Sequence, residues 1–88
     1  MVYFMDSLEL QAFKTIAVQG SFSKAADELS ITKPALINRI KGLENQLKTR
    51  LFDRNGRHMT ITVAGQNLLL KATAMLEAMA ELEDAVDT

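Results

Sequence analysis

The sequence predicts a mainly α-helical fold: three short helices, a two-stranded β-hairpin and a long C-terminal helix. Three observations predict it. Apolar residues recur at helical spacing in four segments, each opening on a residue suited to cap a helix. The helical period breaks once, around Asn55-Gly56, where a tight turn separates two short runs of strand character. Charge is segregated along the chain, bases in the middle and acids toward the C-terminus.

The first helix opens at Asp6, which with Glu9 forms a capping-box start, Asp standing where Ser or Thr is usual. Leu10, Phe13 and Ala17 line one face, and Gly20 stops the helix. Ser23 is the expected cap of the second helix, in which Ala25, Ala26 and Leu29 turn inward. Ser30 and Ile31 make a short connection. Thr32 caps the third helix, and Pro34 fits its first turn, where the N–H groups have no helical partner. Leu36, Ile40, Leu43 and Leu47 follow at spacings of four, three and four, an amphipathic stripe. Phe52 to Arg54 and Arg57 to Ile61 read as strands around Asn55-Gly56, which supplies the positive φ angles of a two-residue hairpin. Thr62 caps the last helix. There Leu68, Ala72, Met75, Met79, Leu82 and Val86 alternate spacings of four and three, and Leu69 and Leu76 widen the stripe.

Composition narrows the function classes. The chain of 88 residues is long enough for one small domain with an appendage, placed at residues 5–62 and 63–88. A hydrophobic fraction of 48% excludes a disordered tail, and the absence of cysteine excludes disulfides and thiolate zinc sites. The longest apolar run falls well short of the about 20 residues of a membrane span. The N-terminus lacks the basic start of a signal peptide, so a soluble cytoplasmic protein is expected.

The net charge of −1 conceals its distribution. Met1 to Thr62 carries nine Lys/Arg against six Asp/Glu, a net +3; Lys33 to Arg57 alone carries seven against two, a net +5. From Val63 onward Lys71 faces five acids, a net −4. Such asymmetry is expected where only one part of a chain meets phosphates.

Two short helices joined by a tight connection, the second with bases on its outer face, make a helix-turn-helix. Ala25 and Ala26 let the helices cross closely. With 36, 40, 43 and 47 facing the core, Lys33, Pro34, Ile37, Asn38 and Lys41 are left outward, concentrated where a recognition helix meets base edges in the major groove. Asn can bond adenine through two contacts, Lys can reach guanine, and Ile37 suits a thymine methyl. Taken alone, Lys and Asn on an outer face are more often merely solvated, and an exposed Ile can serve another contact. Arg54, Arg57 and His58 in the following hairpin add weight to the first reading. A basic hairpin after a helix-turn-helix is a wing suited to phosphate or minor-groove contact.

The runs GSFSKAADEL (Gly20–Leu29), TKPAL (Thr32–Leu36), LENQL (Leu43–Leu47), RLFDRNGR (Arg50–Arg57) and TVAGQNLL (Thr62–Leu69) are collinear and correctly spaced. Over Met5 to Val86 the chain resembles the N-terminal domain of LysR-type transcriptional regulators. The resemblance implies a winged helix-turn-helix followed by a long linker helix that packs against its mate in a dimer. It further implies binding of double-stranded DNA at an interrupted inverted repeat, no cofactor or metal, and room for a tetramer in a full-length protein. In the family an effector-binding domain of two α/β lobes follows, so this chain reads as a fragment.

The family's base-contacting positions map onto Lys33, Pro34, Ile37 and Asn38. Lys41, Arg54 and Arg57 match positions where the family touches phosphate or the wing groove, and backbone or wing contacts are expected at Ser23, Thr32 and His58 as well. The dimer interface is expected at Leu68, Leu69, Ala72, Met75, Leu76, Met79, Leu82 and Val86. The departures are local. Thr32-Lys33 stand where the family usually has Ser-Gln, Ile37 where a serine is common, and Lys48 where a glycine is common.

Two other classes compete. An enzyme finds little support: His58 is the lone histidine, no cysteine offers a nucleophile, and no glycine-rich phosphate loop is present. His58 also has no metal-ligand partner at a sensible spacing. A winged helix that binds protein would replace the bases of the recognition face with apolar or acidic residues. Only Ile37 points that way.

Overall fold

The computed structural model describes residues 6–55 and 58–86. Within them the order is α1 (Ser7–Gln19), α2 (Phe22–Leu29), α3 (Lys33–Leu47), β1 (Phe52–Asn55), β2 (His58–Ile61) and α4 (Val63–Val86).

The capping box of α1 is reciprocal. Glu9 N–H donates to Asp6 Oδ1 at 2.8 Å, and Asp6 N–H donates to Glu9 Oε1 at 3.1 Å. Gly20 ends the helix at φ 67°, its N–H donating to the Ile16 carbonyl at 2.8 Å. The buried face is Ala12, Phe13 and Ile16, with Leu10 and Ala17 only at its margin.

The cap of α2 is Ser21, whose Oγ accepts from Lys24 N–H at 3.2 Å; Ser23 is not the cap. Starting the helix at Phe22 sets Phe22, Ala25, Ala26 and Leu29 on one face at i, i+3, i+4 and i+7. Phe22 is thereby only 7% exposed, while Ser23 stands exposed in the first turn. Burying such a ring stabilises by about 1.5–3 kcal/mol, more than a change of cap can offset.

Thr32 caps α3, its Oγ1 accepting from Ala35 N–H at 3.2 Å, and Leu36, Ile40 and Leu43 face the core. The helix ends at Lys48, held left-handed at φ 54° and ψ 40°. A residue with a Cβ pays about 1–2 kcal/mol for that conformation, partly offset because glycine is freer when unfolded. Lys48→Gly is therefore expected to raise stability by about 0.5–1 kcal/mol. The measurement is the urea midpoint at unchanged slope, and a lower midpoint contradicts the expectation.

The hairpin pairs Phe52 with Ile61, Asp53 with Thr60, Arg54 with Met59 and Asn55 with His58. Asn55 thus belongs to the ladder, one residue beyond the strand end expected. Gly56 and Arg57 lie outside the described residues. Side chains alternate across a strand, so Phe52, Arg54, Met59 and Ile61 share the inner face.

Glu44 fastens this wing to α3. Its Oε2 accepts from Leu51 N–H at 2.7 Å and Phe52 N–H at 3.3 Å, with Arg50 Nε 3.9 Å away. At the other end the Thr62 hydroxyl donates to the Arg50 carbonyl at 2.7 Å and accepts from Gly65 N–H at 3.0 Å. One side chain both caps α4 and closes the hairpin.

The core joins Phe13, Ile16, Leu36, Ile40, Leu43, Leu51 and Phe52, all fully buried, with the Phe13 and Phe52 rings 5.3 Å apart. The proximal half of α4 completes it. Ala72 is 2% exposed within the single chain, and Leu68 and Leu69 pack against the same core. This corrects the expectation that Ala72 lies in an intermolecular stripe: it has no surface left for a partner. From Glu77 to Val86 every residue of α4 is exposed.

Candidate nucleic-acid interface

The first half of α3 and its cap present an exposed basic surface. Thr32, Lys33, Pro34, Asn38, Arg39 and Lys41 are all exposed, because the buried positions 36, 40 and 43 fix the opposite face. At this helix start Pro34 has no N–H and Thr32 takes those of Ala35 and Leu36, so what the end of α3 offers a phosphate is the positive pole of the helix and the Lys33 side chain. Ile37 differs from expectation. It is half-buried and packs against the core, on the flank of the helix facing the wing.

Beside α3 runs a groove of about 490 Å³, lined by Gly20, Ser21, Phe22, Ser23, Lys33, Ile37, Arg54, His58 and Met59. It brings together the start of α2, the start of α3 and the wing. Of the residues expected at the site, Ser23, Lys33, Ile37, Arg54 and His58 line it. Thr32, Pro34, Asn38 and Lys41 are exposed on α3 outside its lining. Arg57 lies outside the described residues.

Neither Glu44 nor Asp53 holds Arg54. Among the described residues the one ion pair is Arg50–Glu44, and the Arg54 guanidinium carbon instead lies 4.6 Å from the centre of the Phe22 ring. Phe22 and Met59 are groove residues that the sequence reasoning missed. The signal for Phe22 was present in its spacing to Ala25, Ala26 and Leu29. Groups of His, Asp and Glu able to hold a metal ion are absent among the described residues.

A helix, a tight connection, a second helix with an exposed basic start and a hairpin bearing Arg and His define a winged helix-turn-helix, the domain of a DNA-binding transcriptional regulator. The model of the bacterial regulatory helix-turn-helix proteins of the lysR family matches residues 8–66, and the chain belongs to that family. It is a family of regulators, not of enzymes.

Among its relatives, an uncharacterized HTH-type transcriptional regulator from the ibpB–leuC intergenic region of Azotobacter vinelandii is 43% identical over 94% of this chain. The HTH-type transcriptional regulator YofA of Bacillus velezensis is 44% identical over 90%. The chain spans 58% of the first relative's length and 27% of the second's. In structure it is similar to the BenM DNA-binding domain in complex with catB site 1 DNA, with a TM-score of 0.90 and 29% identity. That match covers 94% of this chain and 93% of the other. The CbnR DNA-binding domain in its DNA complex gives a TM-score of 0.87 and 28% identity, covering 92% of this chain and 93% of that one.

Proposed function

We propose that the chain binds double-stranded DNA sequence-specifically, with α3 in the major groove and the wing on the flanking backbone or minor groove. The observation that carries the reading is the exposed row Lys33, Asn38 and Lys41 beside a groove lined by Arg54 and His58 and by no acid, with Glu77, Glu81, Glu83 and Asp84 on distal α4. Lys33, Pro34 and Asn38 are the base-reading set, with Ile37 reaching a base only from its half-buried flank. Ser23, Thr32, Lys41, Arg54, Arg57 and His58 position the backbone. The BenM and CbnR domains, similar over nearly their whole length, are complexes with DNA.

The unit is a homodimer that joins the distal halves of two α4 helices and reads an interrupted inverted repeat in the cytoplasm. A tetramer is an expectation for a longer protein only. Among the described residues no helix is long and apolar enough to cross a membrane. A protein-binding winged helix had Ile37 as its one support, and a half-buried Ile37 is a weak anchor for a partner.

Selection of bound sequences from a random duplex pool tests the reading, since a DNA reader enriches a half-site and its inverted copy. Asn38→Ala is expected to cost about 1–3 kcal/mol on the selected site and to relax preference at one base pair. Equal losses on selected and scrambled duplexes, measured by fluorescence anisotropy, would make Asn38 a positioning residue instead.

A further inference from the structure

We infer that Phe22 is a positioning residue for DNA binding, its ring face holding the Arg54 guanidinium in the mouth of the groove between α2, α3 and the wing. The inference rests on the DNA-binding reading above. Arg54 projects from the inner face of β1, two residues beyond the buried Phe52, and lies across the first residue of α2 while staying exposed to solvent. Its guanidinium carbon lies 4.6 Å from the Phe22 ring centre, within the range of a cation–π contact.

The ring itself is immobilised. Phe22 is 7% exposed and meets Phe52 edge-on with centroids 5.9 Å apart; Phe52 in turn packs on Phe13 at 5.3 Å. An aromatic column thus runs from the core to a surface cation.

What distinguishes this support from an ion pair is what it leaves free. A carboxylate would occupy the N–H edge of the guanidinium and cancel its charge. A ring takes only the planar face, so the charge and the N–H donors at the edge remain for a phosphate or a base. Among the described residues the one ion pair, Arg50–Glu44, leaves Arg54 out. A long side chain fixed before binding loses less conformational freedom on binding, which favours affinity.

The test is a double-mutant cycle on the whole chain with sonicated mixed-sequence duplex DNA at low salt. Phe22→Leu keeps an apolar residue but removes the ring face, and is expected to weaken binding about three- to ten-fold. In an Arg54→Ala background the same change is expected to have no further effect, and Phe22→Tyr to retain the wild-type affinity. Equal losses in both backgrounds, or a loss with Phe22→Tyr as large as with Phe22→Leu, overturn the inference. Should Phe22→Leu unfold the domain, the NMR shifts of the Arg54 side-chain protons decide. Ring current from Phe22 is expected to move them upfield in the DNA-free protein, and random-coil values overturn the contact. Failure of the wild-type chain to bind the duplex at all would instead strike the DNA-binding reading.

Discussion

A Met79→Asp, Leu82→Asp double variant is expected to sediment as a folded monomer where the wild-type chain sediments as a dimer. The expectation follows from what α4 does along its length. Its first half is committed inside the chain, with Ala72 buried and Leu68 and Leu69 packed on the core. Its second half continues the same spacing with nothing beneath it: Met75 is 54% exposed, Met79 37%, Leu82 69% and Val86 82%. An apolar stripe rimmed by Glu77, Glu81, Glu83 and Asp84 is a surface that soluble monomers avoid and that a two-fold partner covers. Burying each Met or Leu contributes about 1.5–3 kcal/mol, and two-fold symmetry counts each position twice. Replacing both by Asp should weaken the dimer on the order of a thousand-fold or more.

The consequence for DNA is larger than any single contact. Two linked recognition helices gain about 10²–10⁴ in affinity over one through effective concentration alone, and the variant should keep only half-site binding. Unchanged melting of the α1–α3 core would show that the substitutions act between chains. A wild-type monomer at high micromolar concentration would sink the proposal.

The sequence was most informative where one local rule had one solution. The Asp6–Glu9 box, the Gly20 stop, the Thr32 and Thr62 caps and the stripe 36, 40, 43 and 47 each had a single reading, and the structure has them all, Leu47 only half-buried at the margin of the core. It was least informative where two candidates sat side by side. Ser21 and Ser23 both satisfy the chemistry of a cap, and only burial of Phe22 chooses between them. In α1, apolar residues at 8, 10, 12, 13, 16, 17 and 18 point in too many directions for periodicity to find the core face, which tertiary contact sets at Ala12, Phe13 and Ile16.

The site shows the same division. Exposure of Lys33, Asn38 and Lys41 follows from helical geometry alone. The partners of Arg54 and Glu44 do not, because both are decided by where the wing docks. Arg54 lies ten residues after Glu44 and next to Asp53 in the chain, so proximity along the sequence points to a carboxylate partner. Docking instead gives Glu44 to the Leu51 and Phe52 amides and Arg54 to Phe22.

Gly65→Ala is expected to destabilise the fold by about 1–3 kcal/mol, although alanine favours a helix over glycine by about 1 kcal/mol. Gly65 lies in the first turn of α4, directly over the end of the wing. A Cβ there would run into the Leu51 carbonyl oxygen and come within 2.6 Å of Ile61 Cγ1. Ile61 has rotamers to change, but the Leu51 carbonyl is fixed: it accepts from Thr62 N–H at 3.0 Å and lies 3.2 Å from the Thr62 hydroxyl. Relieving the clash therefore means prising the cap of α4 from the base of the hairpin, and the bonds lost there add to the steric cost. At this chain length the melting temperature should fall by on the order of 10 °C. Gly42→Ala is the internal control, since a Cβ at Gly42 meets nothing within 4 Å in the exposed middle of α3. It should gain about 0.5–1 kcal/mol from helix propensity alone. Opposite signs for the two substitutions, read from the same calorimetric scan, separate close packing at the wing–α4 junction from propensity; the same sign for both would refute that packing.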